Sequence, residues 1–277
     1  MSRSAGNAGA WRSSRGAYHH RMSDAALTYS SYLALDEVLS AQRPRSDEHD
    51  ELLFIVIHQV YELWFKQMLH ELERAQTVLE AGRSAQALHT LKRVLTILKV
   101  AVAQVDVLET MTPRQFAGFR GRLDASSGFQ SAQFREFEAV LGSRTEHHQP
   151  GLAGERIAAA QQRRNLYDSF VTYLQMCGYD VPDHAMLRDV RAPLAPDPQL
   201  QECLLEVYRD DGEAAAVCER LVDLDEGVQE WRYRHVKMVE RTIGDKAGTG
   251  GSSGAAYLRS TLFSPLFPDL WAVRSRL

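Results

Sequence analysis

Two histidines on apolar helix faces, and an arginine beside a phenylalanine, are the side chains here whose spacing suits chemistry. Trp231, His235, Met238 and Thr242 recur at i, i+4, i+7 and i+11, so they share one face of a helix whose other positions are mostly charged. A buried imidazole stays neutral, and its ring nitrogen is then a ligand for iron. The same pattern suits a core histidine bonded to a carbonyl. His58 repeats the arrangement: Phe54, His58, Tyr61, Glu62 and Phe65 form one stripe. That stripe would offer a flat apolar ligand a hydrogen-bond partner between aromatic walls, or else hold a satisfied core histidine. Phe116 and Arg120, at i and i+4, could grip a carboxylate bidentately while the ring packs an apolar body; a solvated arginine fits the spacing equally.

After Gly244, where the His235 helix can stop, the chain turns to Gly, Ser and Thr. Gly248 and Gly250 form G-x-G, but no strand precedes them and no Gly-Lys-Ser/Thr follows, so neither nucleotide pattern is met. Backbone N–H groups with the hydroxyls of Thr249, Ser252 and Ser253 could close over a zwitterionic or anionic ligand; a plain linker has the same composition. His147 and His148 are adjacent and cannot share a helix face, which argues against a two-histidine metal site there.

The elements that must position these residues read as helices throughout. Residues 1–24 carry several Arg and Ser without the apolar core of a secretory signal, and are expected to be a disordered tail ahead of a single domain over 25–277. Tyr29, Tyr32, Leu33 and Leu35 begin an amphipathic helix ending before Pro44; such an N-terminal helix can finish a neighbour's pocket. Ser46 to Glu48 supply cap and first-turn acids for a helix running to Ala81, whose LLFIVIHQVYELWF portion is apolar nearly all round, as a helix surrounded by others or by a large apolar ligand must be. Further helices are expected over about 88–108, from Thr112-Pro113, over 152–177, 184–190, 199–209 and 213–243, with the aromatic C-terminus docking back on them. With no strand pattern, the fold class is all-α.

Composition excludes several function classes. The chain of 277 residues is 44% hydrophobic with a formal net charge of −4, which gives no electrostatic reason to expect nucleic acid. The longest apolar run, Leu52 to Ile57, is too short to cross a membrane. Cys177, Cys203 and Cys218 are odd in number and widely spaced, which fits a reducing cytoplasm.

The segments YSSYLALDEVLSAQ, DELLFIVIHQVYELWFKQMLHEL, LETMTPRQFAGFR, SSGFQSAQFR and WRYRHVKMVERTIGDKAGTGGSSGAAYLRSTL resemble, in order and over most of the chain, the tryptophan 2,3-dioxygenase family, in its bacterial form. That resemblance implies a helical haem enzyme, a homotetramer built as a dimer of dimers, using ferrous haem b and O2 to open the indole C2–C3 bond of L-tryptophan and give N-formyl-L-kynurenine. It implies His235 as the proximal haem ligand, and His58 as the distal histidine bonded to the indole N–H. Arg120 would bind the substrate carboxylate, Thr249 its ammonium and carboxylate ends, and Phe54 and Phe116 would wall the indole. Ser127 and Gly128 match the turn beside the haem, while Tyr29, Tyr32 and Leu33 match the segment that enters the neighbouring subunit's site. Many bacterial members carry Tyr at the Phe116 position and animal ones Phe, so one carboxylate hydrogen bond is expected to be missing. Two other readings keep the same residues: a natural-product relative that oxygenates a modified tryptophan such as β-methyl-tryptophan, for instance by single oxygen insertion to an oxindole, and a haem sensor or helical interaction module.

Overall fold

The structure is a computed structural model that describes residues 26–124, 126, 130–145, 151–246 and 255–277. These fall into two compact units, one ending at Ala41 and the other running from Gln42 to the C-terminus. Every regular element among the described residues is helical.

The N-terminal unit holds α1 (Tyr29–Leu33) and α2 (Leu35–Leu39). The single amphipathic helix expected here is broken at Ala34, which sits at φ 50° and ends α1 while starting α2. Thr28 and Ser31 close a capping box that fixes where α1 starts.

In the larger unit the frame is three long helices: α3 (His49–Glu80), α4 (Ser84–Leu108) and α11 (Glu213–Ile243). The α3–α4 turn runs through Gly82 at φ 68°, a left-handed conformation that costs glycine nothing. Helix α4 packs against both α3 and α11, and its Leu91, Val94 and Leu98 are buried among Leu72 and Leu79 of α3 and Leu221 and Leu224 of α11. At Gly227 the approach is so close that a Cβ would sit 2.8 Å from Leu98 Cδ2.

Shorter helices complete this unit: α5 (Pro113–Arg120), α6 (Ala132–Val140), α7 (Gly151–Gln161), α8 (Leu166–Met176), α9 (Asp183–Met186), α10 (Pro198–Asp210), α12 (Ala255–Ser260) and α13 (Pro268–Ala272), with a final 3-10 turn at Val273–Arg276. Thr112 caps α5 with Gln115 in a capping box and Pro113 at its first position, as the Thr-Pro pair predicts.

Two helix boundaries differ from expectation for a visible reason. Ser46 does not cap α3; its hydroxyl and N–H, with the Arg45 N–H, bond the carboxylate of Glu51, which is only 1% exposed. The helix therefore starts at His49. The helix expected over 152–177 is two, because Asn165 and Asp168 exchange side-chain and backbone bonds of 2.8 and 2.9 Å and open α8 with a new N-terminus. The C-terminal aromatic stretch does dock: Leu266, Phe267, Leu270 and Val273 are buried in the core. Asp225 of α11 accepts the Leu266 and Phe267 N–H groups and Trp271 Nε1. No helix among the described residues is long and apolar enough to cross a membrane.

Candidate active site

The first half of α3, apolar nearly all round, runs along a cavity that explains its composition. Phe54, His58, Tyr61, Glu62 and Phe65 all line it. Helix α4 adds Val105 and Leu108, α5 adds Phe116 and Arg120, and α11 adds Trp231, His235, Met238 and Thr242. The two histidines, the arginine and both predicted phenylalanines are thus brought to one cavity by separate helices.

Each histidine has its own aromatic surround. On the His58 side, the Phe54 ring lies 4.1 Å from the imidazole, 5.7 Å from Phe116 and 5.6 Å from Phe119, and Phe116 meets Phe119 edge-on at 5.3 Å. On the His235 side, Trp231 lies 5.0 Å from the imidazole and 4.6 Å from Phe134, which is 5.3 Å from Phe65. Tilted and edge-on pairs of this kind add to the area buried and fix ring orientation.

The charge states follow from these surroundings. His58 Nδ1 lies 2.7 Å from the Phe54 carbonyl oxygen. A carbonyl only accepts, so Nδ1 carries the proton and Nε2 keeps its lone pair. Burial lowers the His58 pKa, against the opposing effects of that carbonyl and of Glu62. His235 is pushed down to about 4, first by burial and then by His58 and Arg135. Both imidazoles keep some accessible surface where the cavity meets them, yet both sit deep enough to be neutral at pH 7. No described residue hydrogen-bonds a ring nitrogen of His235.

Polar contacts hold the walls in place. Tyr61 donates its hydroxyl to the Ala101 carbonyl, and Gln104 Nε2 donates to the Ile57 carbonyl, tying α3 to α4. Gln133 Nε2 donates to the carboxylate of Glu62 at 2.8 Å and to its carbonyl at 2.9 Å, so Glu62 serves the α3–α6 contact.

Sequence reasoning missed a buried ionic group in the same wall. Arg232, expected on the outer face, is 9% exposed and lines the cavity with Arg135 and Glu138. The Glu138 carboxylate accepts from Arg135 Nη1 at 2.7 Å and from Arg232 Nη2 at 3.2 Å. Arg232 Nη1 also approaches the Thr261 and Ser264 carbonyls at 3.4 Å each. The signal was present in part: Arg232 stands one turn before His235, and Arg135 and Glu138 are i and i+3. Arg234 and Arg241 lie away from the cavity, bonded to Asp106 of α4 and to Glu109 at its C-terminal cap.

Thr249, Ser127 and Gly128 lie outside the described residues, as do His147 and His148. Tyr29, Tyr32 and Leu33 lie on α1 of the N-terminal unit and are 75%, 72% and 39% exposed.

The donor set fits a large planar group with carboxylate arms better than a bare metal ion. Among the described residues no three His, Cys, Asp or Glu side chains converge. Two neutral imidazoles, His58 and His235, face an apolar, aromatic-walled cavity, which suits an iron porphyrin whose iron one of them would bind. Two buried N–H groups in the His235 wall, Arg232 Nε and Trp231 Nε1, have no acceptor among the described residues, so a group bringing oxygen acceptors would complete the wall.

Comparison with known proteins points to one family. A family model described as tryptophan 2,3-dioxygenase matches residues 13–152 and 197–277. The tryptophan 2,3-dioxygenase of Anaeromyxobacter sp. (strain K) is 66% identical over 262 residues, covering 91% of this chain and 97% of its own length. That of Herpetosiphon aurantiacus is 58% identical over 258 residues, covering 91% and 99%, and that of Caulobacter vibrioides is 45% identical over 259 residues, covering 91% and 98%.

Proposed function

The chain belongs to the tryptophan 2,3-dioxygenase family, and we propose that it opens the indole C2–C3 bond of L-tryptophan with O2 to give N-formyl-L-kynurenine. The observation that carries this reading is the convergence of His58, His235 and Arg120 on one aromatic-walled cavity.

In this reading the cavity would hold one haem b per chain, with His235 as the residue that would bind its iron. Ferrous haem, when bound, supplies the activation of O2. The protein's own tasks are orientation and exclusion of water. His58, with Nδ1–H committed to the Phe54 carbonyl, accepts the indole N–H at Nε2. The Phe54 and Phe116 rings would wall the indole, and Arg120 would pair with the carboxylate. The family resemblance gives Thr249 a role toward the ammonium and carboxylate ends of the substrate, and Ser127 and Gly128 a role in haem binding. A carboxylate-free analogue forgoes the Arg120 pair, which is how charge at one end of the substrate becomes specificity.

The active species in this reading is a homotetramer. Leu52, Val56 and Leu63 of α3 and Val100 and Val107 of α4 are all at least a third exposed, an apolar surface that assembly would cover. Tyr29, Tyr32 and Leu33, apolar and exposed, would enter the neighbouring subunit's site. Three free cysteines, two of them buried, support a cytoplasmic location.

Turnover of L-tryptophan by the reduced, haem-loaded protein under 18O2 tests the reaction. N-formyl-L-kynurenine carrying both labelled atoms is expected. A product with one labelled atom, or turnover of β-methyl-tryptophan alone, would replace this reading.

A further inference from the structure

The buried ionic group of Arg135, Glu138 and Arg232 does more than fill a wall. All three side chains are at least nine-tenths covered, and all three border the cavity that His235 faces. Burying a guanidinium away from water is costly unless a counter-charge is close. Here one carboxylate answers two guanidiniums, at 2.7 and 3.2 Å, from opposite sides of the α6–α11 contact. Arg232 stands one turn before His235, and Arg135 is close enough to bear on the His235 imidazole. Nothing in binding an aromatic amino acid requires this arrangement, and a leucine or phenylalanine layer would seal the wall at less electrostatic cost.

We infer that Glu138 is a positioning residue that sets the electrostatic field at the His235-bound iron, by holding two guanidiniums in place and cancelling part of their charge. The inference rests on the haem reading above. In a low-dielectric cavity a unit charge in the wall acts at long reach. Reduction of the iron adds one electron to the site, so cations in the wall favour the ferrous form and the Glu138 carboxylate opposes it. Arg232 also holds the carbonyls of Thr261 and Ser264, so the same carboxylate indirectly steadies the segment after α12, whose Thr261 lines the cavity.

The experiment is spectroelectrochemical titration of the purified haem-loaded protein and of two variants. Glu138→Gln keeps shape and removes a negative charge, so its ferric/ferrous midpoint potential should shift positive. Arg135→Gln removes a positive charge from the same cluster, so its potential should shift negative. A role in packing alone would lower thermal stability in both and move the potentials together or not at all. Shifts of equal sign, or none, overturn the inference. Each variant also has its own predicted sign, so a negative or absent shift in Glu138→Gln, or a positive or absent shift in Arg135→Gln, overturns the inference even where the other does not fold. Failure of the wild-type chain to hold haem would instead sink the reading beneath it.

Discussion

His58 Nδ1 sits 2.7 Å from the carbonyl oxygen of Phe54, one helical turn back. Because that bond fixes the proton on Nδ1, the ring presents Nε2 as an acceptor at neutral pH. Replacing His58 with Ala should lower kcat/KM for L-tryptophan by roughly tenfold or more, the cost of leaving an indole N–H unpaired in a dry cavity. The same change should cost far less with 1-methyl-L-tryptophan, which has no N–H to pair. Equal losses on both substrates would remove His58 from that role.

The pH dependence follows from the same ring. Burial lowers the His58 pKa below the ordinary 6.5. The acceptor form is the neutral one, so it persists as pH falls through 6.5 and is lost only on protonation at the lowered pKa. The acid limb of log(kcat/KM) should therefore lie below pH 6.5. A limb at or above 6.5 that survives in His58→Ala would contradict the assignment.

Arg120 sits on the cavity wall four residues after Phe116. Loss of a charge-assisted bidentate pair costs on the order of 1.5–3 kcal/mol, so Arg120→Leu should raise the tryptophan KM about ten- to a hundredfold while haem content stays normal. Tryptamine, which lacks the carboxylate, should bind wild type and variant alike. An unchanged tryptophan KM would place the carboxylate elsewhere.

Asp225, fully buried, is the anchor for the C-terminal segment. Its carboxylate accepts from Leu266 N, Phe267 N, Trp271 Nε1 and Gln229 Nε2 at 2.7–2.9 Å. Asp225→Ala strands buried donors at about 1–3 kcal/mol each, and should lower Tm by on the order of 10 °C; Asp225→Asn, which keeps an acceptor oxygen, should lose less. Thermal melts of the two variants give the comparison, and equal, small losses would contradict the anchor.

Much of the site was legible because it lies along helices. The i, i+4, i+7 stripes on α3 and α11 put His58 and His235 on inward faces before any tertiary information, and α11 spans Glu213–Ile243 as its pattern predicts, between Gly212 and Gly244. What stayed hidden depends on residues far apart in sequence. Arg232 and Glu138 are 94 positions apart, and nothing local marks their pairing, so Arg232 read as a surface charge. The break before Leu166 carries neither Gly nor Pro; only the Asn165–Asp168 box makes it, and that box looks like ordinary helix-interior polarity until the turn is seen. Ala34 is a third case, since no pattern calls for a left-handed alanine between α1 and α2.

The central claim is that one imidazole, His235, holds the iron. The most direct measurement is the electronic and resonance Raman spectrum of purified His235→Ala, with and without added imidazole. Loss of haem, or of the iron–histidine signature with partial return on adding imidazole, is the predicted result. Full haem content with an axial-ligand spectrum identical to wild type would contradict it.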